Sequence, residues 1–290
     1  MTGKEKLQKA LNHEPGSVPV DFGSDAITGM HARIVAGLRD NYGLQNIPVK
    51  VIEPFNMLGE IDDERKPLIG VDVDGLYPYG SIFSFPNKDW KVWRTPWEQE
   101  VEVPGRFEVR EVGGDAEGAL DPKDNLEEFV PISHDELAYC CGQAERLKRN
   151  GRGLCTKFDG NGLGDIVLVL GPFLKEPKGI RDITEWYIFT SSRRDYLHAI
   201  FSRQTEQALE NLAKIKDAVG NSMDAMFLCG IDFGTQTSTL CSIETFMEIF
   251  IDAGFDIINP VQCSAAGMEP ETLKRKYGSQ VVFWGGGVDT

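Results

Sequence analysis

Two apolar runs near the end of the chain show its organising pattern. Phe255-Asp-Ile-Ile-Asn-Pro-Val-Gln-Cys263 and Val281-Val-Phe-Trp-Gly-Gly-Gly-Val-Asp-Thr290 both turn polar or glycine-rich at their C-terminal ends. Between them Pro270 stands where a helix takes its first residue, and Gly278 stands where one stops. Strand, helix and strand in that order make a βαβ unit, whose strands should run parallel. In parallel α/β folds the polar C-terminal edge is where ligands bind.

The same alternation recurs upstream. Lys4 to Asn12 reads as a short helix with Leu7, Ala10 and Leu11 on one side. Ser17 to Gly23 reads as a strand, Met30 to Tyr42 as a helix with Ile34, Val35 and Leu38 inward, and Val71 to Pro78 as a second strand. Ser133-x-x-Glu136 is a capping box opening a helix with Leu137, Cys141, Ala144 and Leu147 on one face. Leu154 to Phe158 is a strand, Asp182-x-x-Glu185 caps a helix, and Ser192-x-x-Asp195 starts a long one. The long helix carries Phe201, Ala208, Leu209, Leu212, Ile215 and Val219 and stops at Gly220. Ala225 to Cys229 is a further strand, and Ser242 opens a helix to about Ala253.

Residues 82–113 differ in character. Trp90, Trp93 and Trp97 cluster there, and Val101, Val103, Phe107, Val109 and Val112 alternate with polar residues around Pro104-Gly105. That is antiparallel hairpin material inserted in the main fold, and its tryptophans are better read as packing than as pocket lining. Strands alternating with helices elsewhere predict a parallel α/β sheet in one domain over residues 1–290. Six strands are legible outside the insertion, whereas a complete (β/α)8 barrel has eight.

Composition narrows the classes. At 290 residues and 41% hydrophobic content the chain can bury a large core. No window of eighteen apolar residues predicts a membrane span, and the polar start Met1-Thr-Gly-Lys-Glu-Lys has no signal-peptide core. A cytoplasmic protein is expected. Thirty basic against forty-five acidic residues, a net charge of −15, argues against a nucleic-acid partner. The cysteines Cys140, Cys141, Cys155, Cys229, Cys241 and Cys263 form no C-x-x-C pair, so free thiols are expected.

Four strand ends carry an aspartate beside glycine or a small polar residue: Asp21, Asp159, Asp232 and Asp289. On a parallel sheet they share one rim. Such carboxylates hold a cation, orient water or raise one another's pKa, or else simply cap the following helices. The run Asp159-Gly-Asn-Gly-Leu-Gly164 lacks the spacing and lysine of a phosphate loop. His13, His31, His134 and His198 have no ligand partner at metal spacing. Cys229 and Cys263 end strands, where core filling is the simpler reading. No serine lies in a G-x-S-x-G elbow.

Several segments resemble the uroporphyrinogen decarboxylase superfamily. They are Asn259-Pro-Val-Gln262, Ala266-Gly-Met268, Pro270-Glu-Thr-Leu-Lys-x-Lys-Tyr-Gly278, Phe283-Trp-Gly-Gly-Gly-Val-Asp-Thr290, Asp232-Phe-Gly-Thr-Gln236, Gly171-Pro-Phe and the opening Leu7-x-x-Ala-Leu-Asn-His-Glu-Pro-x-x-Val-Pro-Val20. The resemblance spans nearly the whole chain. It implies a TIM-type (β/α)8 barrel and matches Asp232, Gln236, Asn259, Gln262 and Asp289 to positions near the family's site. Asp232 and Asp289 are expected to be catalytic, and Gln236, Asn259 and Gln262, with the strand-end residues Asp21 and Asp159, to bind substrate. True decarboxylases of porphyrin biosynthesis hold their octacarboxylate with arginines after the first strand. Here that loop, Asp21 to Gly29, contains none. The chain is more similar to the zinc methyltransferase branch, which moves a methyl group between a corrinoid protein and a thiol-type acceptor. Zinc and a corrinoid carried by a partner are therefore expected, with decarboxylation and a non-catalytic barrel binding a corrinoid protein or small ligand as alternatives. That branch's His-x-Cys zinc pair, on a strand between the Asp232 and Asn259 motifs, does not occur here. Its third ligand and last strand would fall beyond Thr290. The expectation is an incomplete barrel, with an internal deletion and a missing C-terminus, possessing no identified metal ligands.

Overall fold

The computed structural model describes residues 1–25, 28–77, 88–105, 107, 120–127, 129–158, 169–171, 174, 176–228, 237–239 and 241–285. Helix α1 (Gly3–Leu11) opens with a capping box in which Thr2 and Glu5 satisfy each other's backbone N–H groups. Its Leu7 is fully buried, contributing about 1.5–3 kcal/mol. Gly153 makes room for it, since a Cβ there would stand 2.4 Å from the Leu7 side chain.

In chain order there follow β1 (Met30–His31), α2 (Ala32–Asn41), β2 (Val49–Glu53), β3 (Leu58–Gly59), α3 (Arg65–Leu68), β4 (Val73–Leu76), β5 (Lys91–Arg94) and β6 (Glu100–Val103). The second half holds α4 (His134–Leu147), β7 (Gly153–Thr156), α5 (Ile183–Ser192), α6 (Arg194–Val219), β8 (Ala225–Met226), α7 (Ile243–Asp252), β9 (Ile257–Ile258), α8 (Pro270–Tyr277) and β10 (Val282–Phe283). The strands fall into three sets. β4, β7 and β8 form a parallel sheet, with Asp74 opposite Leu154 and Cys155 opposite Ala225. β9 and β10 pair in parallel, as the βαβ pattern predicts. β1, β3, β2, β6 and β5 make a mixed five-stranded sheet.

Side chains alternate across the central sheet. Leu76, Leu154 and Phe158 face outward against α4 and α6, where Ala144, Leu147, Ile215 and Val219 cover them. Val73 and Cys155 face inward with Leu7, Phe227 and Trp284. The protein is thus an α/β structure with helices on one face of a parallel sheet. Among the described residues no ladder joins β8 to β9, and a complete barrel is not seen.

Several expectations need correction. The expected strand at residues 17–23 forms no ladder, although Val20 and Asp72 exchange hydrogen bonds at 2.7 and 3.0 Å. Ile34 is 57% exposed, because α2 turns Ala32 and Val35 to the core instead. Ser192 does not start α6. It ends α5, with its hydroxyl bonded to the Ile188 carbonyl. The buried face of α6 carries the amides Gln204, Gln207 and Asn211, while Leu209 lies outside. Asn211 explains part of this, since it binds the backbone of Val130 and Ile132. The hairpin β5–β6 lies inside the expected insertion, but it adds to a sheet begun by the unforeseen strands β1–β3. Its tryptophans pack: Trp93 meets Phe107 edge-on, and Trp97 lies against His31.

Candidate functional site

The N-terminal ends of the parallel strands are closed by charge. Asp72 beside β4 accepts from Lys6 at 2.9 and 3.0 Å. Asp74, 1% exposed, takes Lys66 at 2.8 Å, Arg152 at 2.9 Å and Asn150 at 3.1 Å. Its cations outweigh burial and hold its carboxyl below the usual range. Asp224, before β8, pairs with Lys4 at 3.0 Å and accepts from the Leu154 amide. Helix α1 seals this end.

The opposite, C-terminal side is built differently. Asp21 leaves the extended segment after Val20 and is half-buried. Its carboxylate accepts from the Ser24 hydroxyl at 2.6 Å, the Ser24 amide at 3.1 Å and the Trp284 indole N–H at 3.0 Å. The last bond ties the start of the chain to the end of β10. Burial pushes the Asp21 carboxyl up to about 6, the hydrogen bonds oppose that, and the Asp25 charge adds to it. Asp25 is itself 2% exposed and caps its own turn by accepting from the Thr28 amide.

This turn lies directly over β4. Gly75 is required there, since a Cβ would stand 2.4 Å from the Ser24 carbonyl oxygen. The Tyr77 hydroxyl donates to the Gly23 carbonyl, and burial beside Asp25 and Asp21 drives its pKa far up. Cys155 on β7 meets the Ser24 hydroxyl, and burial with the same carboxylates pushes its thiol up as well. Both groups are therefore neutral at physiological pH, and neither serves as a ready nucleophile.

One strand step, about 6.6 Å, beyond Cys155 on the same face stands Lys157. It is 5% exposed, and its ammonium sits 5.3 Å from the centre of the Phe227 ring. Glu53, at the end of β2, brings the mixed sheet to this mouth. Its buried carboxylate is held by the Phe55 and Asn56 amides at 2.7 Å each, and Lys157 acts on it as a favourable charge. Burial is still the largest influence, and the Glu53 pKa is raised.

Of the residues singled out in the sequence, Asp159, Asp232, Gln236, Asp289 and Cys229 lie outside the described residues. Asn259 ends β9 on the same side as Trp284, whose amide donates to the Ile258 carbonyl. The Asn259 side-chain oxygen is buried without a hydrogen bond among the described residues. Gln262 lies in the following turn, its carbonyl bonded to the Ala265 amide. Cys263 packs beside Val261. Asp21 is thus brought to Trp284, Asp25 and Tyr77, partners that spacing did not suggest. Lys157 was visible as a lone charge inside the apolar run Leu154–Phe158, and Glu53 lay in a strand that sequence reasoning missed.

No three His, Cys, Asp or Glu side chains gather to hold a metal ion among the described residues. The described residues therefore do not fit the zinc that the family resemblance implies. Five described cysteines are free thiols. No described helix is long and apolar enough to cross a membrane. No known family, curated protein or solved structure matches the chain.

Proposed function

We propose that the chain is a methyltransferase-type member of the uroporphyrinogen decarboxylase superfamily, moving a methyl group between a corrinoid carried by a partner protein and a small thiol-type acceptor. The motif set from Asn259 to Thr290 supports the family, and the arginine-free loop after Val20 speaks against an octacarboxylate substrate. The observation that carries a site is Asp21. It is a part-buried carboxyl poised at about 6, and it ties the start of the chain to Trp284 just after β10.

A carboxylate with that pKa is a competent proton acceptor near neutrality. In this reading the acceptor's S–H proton passes to Asp21 and the sulfur takes the methyl group. The electron pair of the broken cobalt–carbon bond stays with the corrinoid. Proton removal is assigned to Asp21, whose pKa lies near neutrality. Ser24 and Trp284 keep the carboxylate aimed. The buried Asn259 oxygen offers an acceptor to a donor group on the ligand.

The test is methyl transfer from methylcobalamin to 2-mercaptoethanol, followed by loss of the methylcobalamin absorbance. Activity should rise through pH 6 and fall at least tenfold in Asp21→Asn. Turnover of uroporphyrinogen without methyl transfer would replace this reading with decarboxylation. Binding of methylcobalamin without transfer would leave a non-catalytic barrel.

A further inference from the structure

We infer that Lys157 is the recognition point for the carboxylate of a small organic acid with an apolar body, bound at the mouth of β7 against Phe227. The other buried cations are fully partnered. Arg39 is 2% exposed, and it donates to Asp62 at 2.7 Å and to the Gln45 carbonyl at 2.7 Å. Arg65 meets Asp62, the Val35 carbonyl and the Glu60 carbonyl. Arg181 meets Glu127 and backbone carbonyls.

Lys157 is as deeply placed, yet among the described residues its ammonium has neither a hydrogen bond nor a carboxylate within 4 Å. Only the face of Phe227 lies against its ammonium. A ring face compensates a buried charge partly, and an anion compensates it far better. Glu53 influences Lys157 through space, but its own oxygens are committed to the Phe55 and Asn56 amides. Among the described residues the ammonium lacks an anion, two positions along the chain from Cys155, on which the Asp21 charge acts.

The surroundings select the anion. Among the described residues Lys157 is the one cation placed here, with Glu53 acting on it and Asp21 and Asp25 acting on neighbouring Cys155, so a dianion such as phosphate meets net repulsion. A monocarboxylate balances the ammonium alone. Phe227 and the Val73–Cys155 layer offer apolar surface to the rest of the molecule. The inference names the anionic group of the substrate. It rests on the proposed methyl-transfer reading only for placing that substrate at this mouth.

Its test reads binding and not turnover, so the two fail separately. Calorimetry on the full chain at pH 7.5 compares benzoate with its neutral isostere benzamide and with inorganic phosphate. Benzoate should bind at least tenfold tighter than either. The preference should vanish in Lys157→Met and survive in part in Lys157→Arg. Equal binding of benzoate and benzamide, a benzoate preference intact in Lys157→Met, or phosphate binding as tightly as benzoate would each overturn the inference. Should Lys157→Met fail to fold, the wild type still decides. The Lys157 13Cε resonance, assigned through Lys157→Arg in 13C-lysine-labelled protein, should move with benzoate and stay in place with benzamide. A resonance that ignores benzoate would overturn the inference too.

Discussion

The two ends of the same parallel strands bury charge in opposite ways. At the N-terminal ends, Asp72, Asp74 and Asp224 each face a lysine or arginine within 3.0 Å, and α1 closes the sheet over them. At the C-terminal ends, Asp21 lies beside Asp25 and among the described residues has no cation paired to it, and Lys157 rests on an aromatic ring. Depth is similar and satisfaction is not. A buried ion with its full set of partners stabilises the fold. One without them is costly to keep, and the ligand inferred above would supply what is missing.

The largest effect should come from breaking the satisfied end. Asp74→Ala leaves Lys66 and Arg152 facing a void, and urea unfolding at pH 7 should show a loss of about 3–5 kcal/mol. A loss below about 1 kcal/mol would show those pairs to be slack and erase the contrast.

Next is the pH dependence of Asp21. Its folded pKa lies above the ordinary 3.8, so the native state holds the proton more tightly than the unfolded chain. The stabilisation is complete below pH 3.8 and is lost as pH rises to about 6. At about 1.4 kcal/mol per pH unit, that window costs about 3 kcal/mol. Asp21→Asn should lack this slope in unfolding measured from pH 4 to 7.5. Asp74, whose pKa is lowered, contributes the opposite slope, with stability lost on acidification. Identical pH profiles for the wild type and Asp21→Asn would mean that Asp21 is not buried.

Gly75→Ala should follow. The added methyl meets the Ser24 carbonyl, a backbone atom, and the turn must shift at a cost of about 1–3 kcal/mol. The same shift should weaken the Asp21 pH slope, which distinguishes it from simple overpacking. The smallest effect is expected for Lys157→Met, which replaces an ammonium without an ion pair by an apolar chain of similar length. Thermal unfolding should change by less than about 1 kcal/mol, toward higher stability. A large loss would place Lys157 with the structural cations of the other end.

Some of this was legible in the residues alone. Ser133, Asp182 and Ser242 cap the helices they precede, and Pro270 and Gly278 bound α8, because capping is a local contract between neighbours. The parallel pairing of β9 with β10 followed from the helix between them. Helix faces were less legible. Gln207 and Asn211 are buried where Leu209 is not, since an amide that meets a loop backbone can outweigh an apolar period. The strands β1–β3 were missed because two of them span only two residues and carry no usable alternation.

For the site, the sequence by itself determined that Asp21 ends an apolar segment and that Lys157 interrupts one. It could not state what either residue meets. Trp284 reaches Asp21 across 263 positions, and Glu53 approaches Lys157 from a separate sheet. Burial and charge balance depend on distances through space, and only the folded chain sets those. That is why tertiary structure alone decided which acidic and basic residues are paired, which are neutral, and which still lack a partner.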